Sequence, residues 1–153
     1  MPTPQFGEPG LEGVYPDRPA AFAVIEHDGL IALVEVDRIG RGLVVDLPGG
    51  GIDPGETPRQ AATRECGEEA GLMVDLDPKP FAHADHFFLH SDDVVRNTRG
   101  AFFAGRKTGE DPALKIEDDH RLVWVEPREA VVRLDRDSHA WAVAAWLRLR
   151  ARA

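Results

Sequence analysis

Apolar runs separated by polar breaks divide this chain into short strands and a few helices. The runs AAFAVIE and LIALVEV flank the tripeptide HDG, and this pattern predicts a β-hairpin over residues 20–36. A shorter run at residues 43–47 leads into Pro48 and three glycines, Gly49 to Gly51. Because glycine lets the backbone approach a ligand closely, we interpret these glycines as a ligand-binding loop.

The clearest helix signals begin at Thr57. Thr57 and Gln60 match a capping box, and Pro58 would occupy the first helical position. Gly71 is a suitable C-terminal stop, so the helix is predicted to end at Ala70.

The rest of the chain, after Gly71, is predicted to contain both strands and helices. Further strands are predicted at residues 74–76, 81–89, 100–106 and 122–125, and further helices after Pro127 and from Ser138. The expected fold class is α/β, an α/β/α sandwich on a mixed sheet. Residues 1–19 contain five prolines and three glycines and are predicted to form an extended N-terminal arm. Residues 20–153 would form one domain.

The net charge limits the classes of partner. With 27 acidic and 18 basic residues, the formal charge is −9, which repels polynucleotides and anionic membranes. We therefore expect neither a nucleic acid nor a membrane partner, and a phosphorylated substrate would require divalent cations. The single cysteine, Cys66, excludes an internal disulfide, which favours a cytoplasmic location.

Three carboxylates are expected on one face of the Thr57 helix. Glu65, Glu68 and Glu69 are spaced by three and four residues, and like charges at these spacings cost roughly a few tenths of a kcal/mol per pair. Mg²⁺ or Mn²⁺ would offset this repulsion, since both ions prefer oxygen ligands. Acidic helix faces are also common on solvated surfaces, so the three glutamates alone do not establish a metal site.

The spacing around these glutamates is more specific. Gly50, Glu56 and the run RECGEEAGL at residues 64–72 match each defined position of G-x5-E-x7-R-E-U-x-E-E-x-G-U, in which U is a bulky apolar residue. Cys66 is smaller than usual at the first U position. This segment resembles the Nudix box, and the chain is identified as similar to the Nudix hydrolase superfamily.

The resemblance implies a metal site with defined roles. Glu65 and Glu69 would be the principal ligands of Mg²⁺ or Mn²⁺, and Glu68 would be a further ligand, directly or through water. The carbonyl of Gly49 would complete the site. Glu56 and Arg64 would orient the carboxylates, because Arg64 can pair with Glu56 or with Glu68.

The reaction implied by the resemblance is attack of water on a phosphorus atom of a diphosphate in a nucleoside diphosphate derivative. Glu65 or Glu69 could accept the proton of the water. Some family members use an acid from a distant loop, and here residues 117–119, with Asp118 as the candidate base, provide such a loop. The same residues could equally be an ordinary acidic turn before a strand.

Residues outside the box offer candidates for contacts with the substrate. Arg96 and Arg99 could contact a phosphate, and Phe103 could stack on a base or fill the core. Nucleoside triphosphates, nucleotide sugars and other diphosphate derivatives all remain open, and homodimers are frequent in the family. The alternatives are a noncatalytic nucleotide-sensing or RNA-binding Nudix module, a prenyl diphosphate isomerase and a metal-binding structural protein.

Overall fold

The computed structural model describes residues 2–9 and 15–153. Within these ranges, three α-helices accompany the strands: α1 (Pro58–Ala70), α2 (Pro127–Arg133) and α3 (Asp137–Ala151). The strands are β1 (Gln5–Phe6), β2 (Asp17–His27), β3 (Leu30–Arg38), β4 (Gly42–Asp46), β5 (Gly49–Gly51), β6 (Leu72–Leu76), β7 (Ala82–Leu89), β8 (Val95–Glu110) and β9 (His120–Val125). None of the helices in these ranges combines the length and hydrophobicity needed to span a bilayer.

The strands form one mixed sheet with β2 near its centre. The main order is β1-β7-β8-β2-β3-β4, with β5 beside β2, β6 beside β8 and β9 beside β3. β2 runs parallel to β8 along most of its length, whereas its opposite edge is shared by β5 and β3. The predicted hairpin is confirmed at its tip, where Glu26 pairs with Ile31. Beyond the tip the two strands diverge, and this opening admits β5.

The helices cover both faces of the sheet. Ala20, Phe22 and Val24 of β2 pack in the cluster beneath α2 and α3, whereas Ala21 and Ala23 pack in the cluster beneath α1. A strand that is buried on both faces requires an uninterrupted apolar run, which explains the segment AAFAVI. The predicted α/β/α sandwich on a mixed sheet is confirmed.

Several predicted elements differ from the structure, and the strand predicted at residues 100–106 extends as β8 from Val95 to Glu110. The glycines at 49–51 form a short strand against β2 rather than a loop, and only glycine fits Gly49, since its φ is +149° and an added Cβ would lie 2.3 Å from the Ala21 carbonyl oxygen. β2 begins at Asp17, inside the stretch expected to be an arm. Met1 and residues 10–14 of that stretch lie outside the described residues.

A buried histidine connects α3 to the end of β4. His139 is 1% exposed, and its Nδ1 accepts a hydrogen bond of 3.1 Å from the backbone N–H of Leu47. Burial, followed by the charge of Arg136, lowers the pKa of His139 to about 3. The imidazole is therefore neutral in the folded protein at all ordinary pH values.

This histidine should make the fold sensitive to acid. The unfolded chain binds a proton at His139 below about pH 6.5, but the folded chain excludes it until about pH 3, so this contribution to stability is complete above pH 6.5 and is lost as pH falls. In His139→Asn, the free energy of unfolding should depend less on pH between 4 and 6, by about 1.4 kcal/mol per pH unit. Urea titrations across this range measure both slopes, and equal slopes would contradict a neutral buried His139.

Candidate active site

Helix α1 places the glutamates beside β5. The Thr57 hydroxyl accepts the backbone N–H of Gln60, and the Gln60 side chain accepts the N–H of Thr57, so the predicted capping box is confirmed. Gly71 ends the helix in the left-handed conformation, with φ of +66°. Both ends of α1 are therefore as predicted.

Glu69 is the most buried carboxylate of the site, at 5% exposure. Its Oε1 accepts a 2.7 Å hydrogen bond from the backbone N–H of Gly49, and its Oε2 lies 3.0 Å from Nε2 of His120. Glu69 thus joins α1, β5 and the start of β9 at one point. This arrangement places the carboxylate directly beside the glycine whose carbonyl was predicted to be a metal ligand.

Glu65 lies against the next glycine of β5. A Cβ at Gly50 would be 2.8 Å from Oε1 of Glu65, so a side chain there would displace the carboxylate. Burial, followed by the negative charges of Glu69 and Glu117, raises the pKa of Glu65 to about 7. A carboxylate with so high a pKa among other carboxylates would be stabilised in its charged form by a bound cation.

Arg64 joins the carboxylates to the backbone before the helix. Its Nε and Nη2 donate to both oxygens of Glu56 at 2.8 and 3.0 Å, and its Nη1 donates to Glu68 at 2.9 Å. Nη2 also donates to the carbonyl oxygen of Gly51 at 3.1 Å. Both partners considered from the sequence are therefore present together, and the planar guanidinium fixes their directions.

Replacing Arg64 with lysine should therefore impair activity although the charge is kept. A lysine cannot donate in two directions from a fixed plane, so Glu56 and Glu68 would lose their orientation, and we expect kcat/KM to fall about 10- to 100-fold. Arg59→Lys is the matched control on α1, because Arg59 donates to the carbonyl of Leu76 instead. Equal losses in the two variants would mean that Arg64 serves the fold alone.

The loop before β9 contributes an acid, but it is Glu117 rather than Asp118. The backbone N–H of Glu117 donates to the carbonyl oxygen of Glu68 at 3.1 Å, which holds the loop against α1. Oxygen atoms of Glu65, Glu68 and Glu117 lie within 4.8 Å of one another. Asp118 is exposed and belongs to neither of the potential metal-binding groups found among the described residues.

A second potential metal-binding group overlaps the first. Atoms of Glu69, Glu117 and His120 also lie within 4.8 Å of one another. Oε2 of Glu117 is buried and has no hydrogen-bond partner in the described part of the chain. We call Glu65, Glu68, Glu69 and Glu117 the carboxylate cluster. Four carboxylates at such short separations fit the oxygen preference of Mg²⁺ and Mn²⁺.

Two of the residues predicted to bind substrate have other partners. Arg99 pairs with Asp17 and Asp85, whereas Arg96 donates to both oxygens of Asp92. Both guanidinium groups are therefore already engaged by carboxylates. Phe103 is 2% exposed within the core beneath α1, so it fills the interior and cannot stack on a base.

Sequence reasoning missed two charged residues at the site. His120 contacts Glu69, and alternation along β9 could have located it, because His120 shares a face with Leu122 and Trp124, which pack toward α1. Arg18 lies on the other side of β5, where a Cβ at Gly51 would be 3.1 Å from its Nη2. No local pattern marked Arg18, since its position depends on the pairing of β2 with β5.

The sequence matches one protein family and several curated proteins. The model of the NUDIX domain family matches residues 16–147. Over 99 residues the chain is 35% identical to an RNA pyrophosphohydrolase of Erythrobacter litoralis (strain HTCC2594), a match that covers 60% of this chain and 54% of the relative. Another RNA pyrophosphohydrolase, from Novosphingobium aromaticivorans, is 25% identical over 71% of this chain and 83% of its own. The chain spans about half the length of the first two curated relatives that it matches.

Solved structures share the fold. A NUDIX hydrolase from Nitrosomonas europaea superposes with a TM-score of 0.72 at 22% identity, covering 85% of this chain and 88% of that one. A MutT protein from Methanosarcina mazei Go1 superposes with a TM-score of 0.69 at 18% identity, covering 91% and 99%. At these identities the likeness concerns the fold, whereas the family match concerns the sequence. The chain belongs to the NUDIX domain family, as the spacing from Gly50 to Leu72 predicted.

Proposed function

We propose that this protein is a Nudix hydrolase that cleaves a phosphoric anhydride bond in a nucleoside diphosphate linked to another group, with Mg²⁺ or Mn²⁺ as cofactor. The carboxylate cluster is the observation that carries the proposal. Its oxygen atoms converge from α1 and the β9 loop at a glycine strand, where backbone and ligand can approach closely. This combination suits a metal ion that also binds phosphate oxygens.

The residues of the Nudix box would have different roles. Glu65, Glu68 and Glu69, with the Gly49 carbonyl, would hold the ion, and Glu56 and Arg64 would keep the carboxylates in position. A bound Mg²⁺ or Mn²⁺ would neutralise phosphate oxygens and lower the pKa of a bound water. The hydrogen bond from Gly49 to Glu69 already aligns that carboxylate with β5.

A carboxylate must also accept the proton of the attacking water. We assign this role to Glu117, because its Oε2 is buried, forms no hydrogen bond with the described residues and faces the same group of glutamates, with Nδ1 of His120 3.7 Å away. Water attacks phosphorus, the bond between that phosphorus and the bridging oxygen breaks, and the leaving phosphate departs with the bridging oxygen. The water proton passes to Glu117.

The substrate class has two candidates. Small nucleoside diphosphate derivatives follow from the box, and a triphosphorylated RNA 5′ end is favoured by relatives named RNA pyrophosphohydrolase. Those names conflict with the expectation, drawn from the charge of −9, that no nucleic acid takes part. The two views are compatible if recognition is confined to the phosphorylated end of the strand, because the net charge opposes chiefly extended, nonspecific contact with a polynucleotide.

Turnover of a substrate panel tests the proposal. The panel contains nucleoside triphosphates, oxidised triphosphates, ADP-ribose, nucleotide sugars, dinucleoside polyphosphates and a 5′-triphosphorylated oligonucleotide, each with Mg²⁺, with Mn²⁺ and with EDTA. We expect metal-dependent cleavage of one class, reversibly abolished by EDTA. Metal binding without any cleavage would favour the noncatalytic module, and no metal binding would contradict the proposed site.

Location and assembly remain predictions. The prediction of a cytoplasmic location rests on the single cysteine. That residue, Cys66, is a buried free thiol. Burial and the charge of Glu69 raise its pKa, so it would not act as a nucleophile. Homodimer formation rests on the family resemblance alone.

A further inference from the structure

A group of cationic side chains lies on the sheet face that α3 covers, at the end of the sheet next to β5. Arg18 and Thr98 are register partners on β2 and β8, and Phe88 and Arg96 are partners on β7 and β8. Partners on adjacent strands point to the same face. Arg136, the N-cap residue of α3, completes the group, with its guanidinium carbon 3.9 Å from the centre of the Phe88 ring. We call Arg18, Arg96 and Arg136 the arginine cluster.

Two of the three guanidinium groups lack a hydrogen-bonded carboxylate. Arg18 forms no hydrogen bond or ion pair with any described residue. Nε of Arg136 is buried and lies 3.7 Å from Asp46, beyond hydrogen-bond distance, while Asp46 is held at 2.6 Å by Arg38. A buried cation without a hydrogen-bonded partner is costly, and a bound anion would remove that cost.

Further polar atoms nearby lack hydrogen-bond partners. Nε2 of His90 and Oγ1 of Thr98 are both buried and unpartnered within the ranges that the structure describes. Burial and, after it, the charges of Arg18, Arg136 and Arg96 together lower the pKa of His90 to about 4. His90 is thus neutral at pH 7, and its neutral ring can supply one N–H.

Arg18 of the arginine cluster lies across β5 from Glu65 of the carboxylate cluster. Successive residues of a strand face opposite sides, and here the space beside Gly50 is occupied by Glu65 and the space beside Gly51 by Arg18. Opposite charges also attract each other across this strand. Glu65 attracts the guanidinium of Arg18, and Glu69 attracts that of Arg136. A substrate whose phosphates pass over the edge of β5 would contact both clusters.

We propose that Arg18 and Arg136 bind a phosphate group of the substrate other than those held at the carboxylate cluster, with Thr98 and His90 as additional donors. This inference rests on the proposed function and extends it to a substrate with phosphates on both sides of β5. Phe88 would hold the Arg136 guanidinium in its orientation. The phosphate could belong to the polyphosphate chain of the nucleotide itself or to the first phosphodiester of an RNA strand.

Binding of inorganic phosphate to the metal-free protein tests this site independently of catalysis. We expect Arg18→Gln to weaken the Kd about 10- to 100-fold, since a hydrogen bond between charged groups is lost. Arg18→Lys should retain most of the affinity, and Arg106→Gln, on an exposed arginine of β8 paired with Asp75, should leave it unchanged. Melting temperatures establish that each variant is folded. An unchanged Kd in folded Arg18→Gln overturns the inference even if the enzyme is active.

Kinetics then identify the source of the phosphate. Kinetic constants of Arg18→Gln are compared for a nucleoside triphosphate and for a 5′-triphosphorylated dinucleotide. A similar rise in KM on both substrates assigns the phosphate to the polyphosphate chain, whereas a rise on the dinucleotide alone assigns it to the first phosphodiester. If neither KM changes, the cluster does not bind substrate and the inference is wrong. A protein that binds phosphate through Arg18 but hydrolyses nothing would contradict the proposed function and leave this binding site standing.

Discussion

Glu69→Gln is expected to lower kcat about 100-fold or more, because even residues that only support a metal ligand are worth about 10- to 100-fold. Glu69 is nearly fully buried and contacts both Gly49 and His120, so it sits where α1, β5 and β9 meet. Glutamine has nearly the same volume but no negative charge, and its amide nitrogen cannot coordinate a cation. The loss should therefore concern the metal site rather than the packing.

Two measurements accompany this variant. Initial rates at saturating Mn²⁺ give kcat, and urea unfolding establishes that the free energy of unfolding changes by no more than about 1 kcal/mol, a typical effect of one substitution. Glu129→Gln, on the exposed first turn of α2, is the matched control and should retain full activity. A folded Glu69→Gln protein with the kcat of the wild type would refute the role assigned to Glu69.

Glu117→Gln is expected to slow hydrolysis by about 10²- to 10⁴-fold, the usual contribution of a general base. Glu117 reaches both potential metal-binding groups, and its backbone is held by the Glu68 carbonyl oxygen. Asp118→Asn, one residue along the same loop, should leave kcat unchanged because its side chain is exposed and lies in neither group.

Comparing the two variants shows whether the general base is Glu117, as inferred from the structure, or Asp118, as predicted from the sequence. Both substitutions exchange a carboxylate for an amide on adjacent residues, so effects on the loop itself are matched. A slow Asp118→Asn protein with a normal Glu117→Gln protein would restore Asp118 as the base. Measuring Mn²⁺ affinity separates the remaining roles, because loss of a general base leaves the affinity intact, whereas loss of a metal ligand weakens it.

Local signals predicted the helix of the site well. The Thr57 and Gln60 capping box and the Gly71 stop each act within one turn, so the bounds of α1 follow from the sequence. The carboxylates at 65, 68 and 69 then share a face by helical geometry alone. The two partners of Arg64 could also be anticipated, since one lies a turn away on the helix and the other lies on the loop immediately before it.

The features that were not predicted from the sequence depend on contacts between segments that lie far apart in the chain. Gly49 to Gly51 were interpreted as a loop because glycine lets the backbone approach a ligand closely, and only the divergence of β2 from β3 makes room for them as β5. Arg18 reaches the site through the same pairing. Glu117 and Asp118 are adjacent carboxylates, and which of them reaches the site depends on the anchoring of the loop to α1 by backbone hydrogen bonds to Glu68.

The metal site is tested by titrating Mn²⁺ into the metal-free protein while bound metal, by electron paramagnetic resonance, and hydrolysis are followed in the same samples. We expect metal binding and turnover of the substrate found in the panel to rise over one concentration range. Both should be lost when Glu65, Glu68 and Glu69 are all replaced by glutamine. Full hydrolysis in EDTA, or undiminished Mn²⁺ binding in the triple variant, would contradict the assignment of the carboxylate cluster as the metal site.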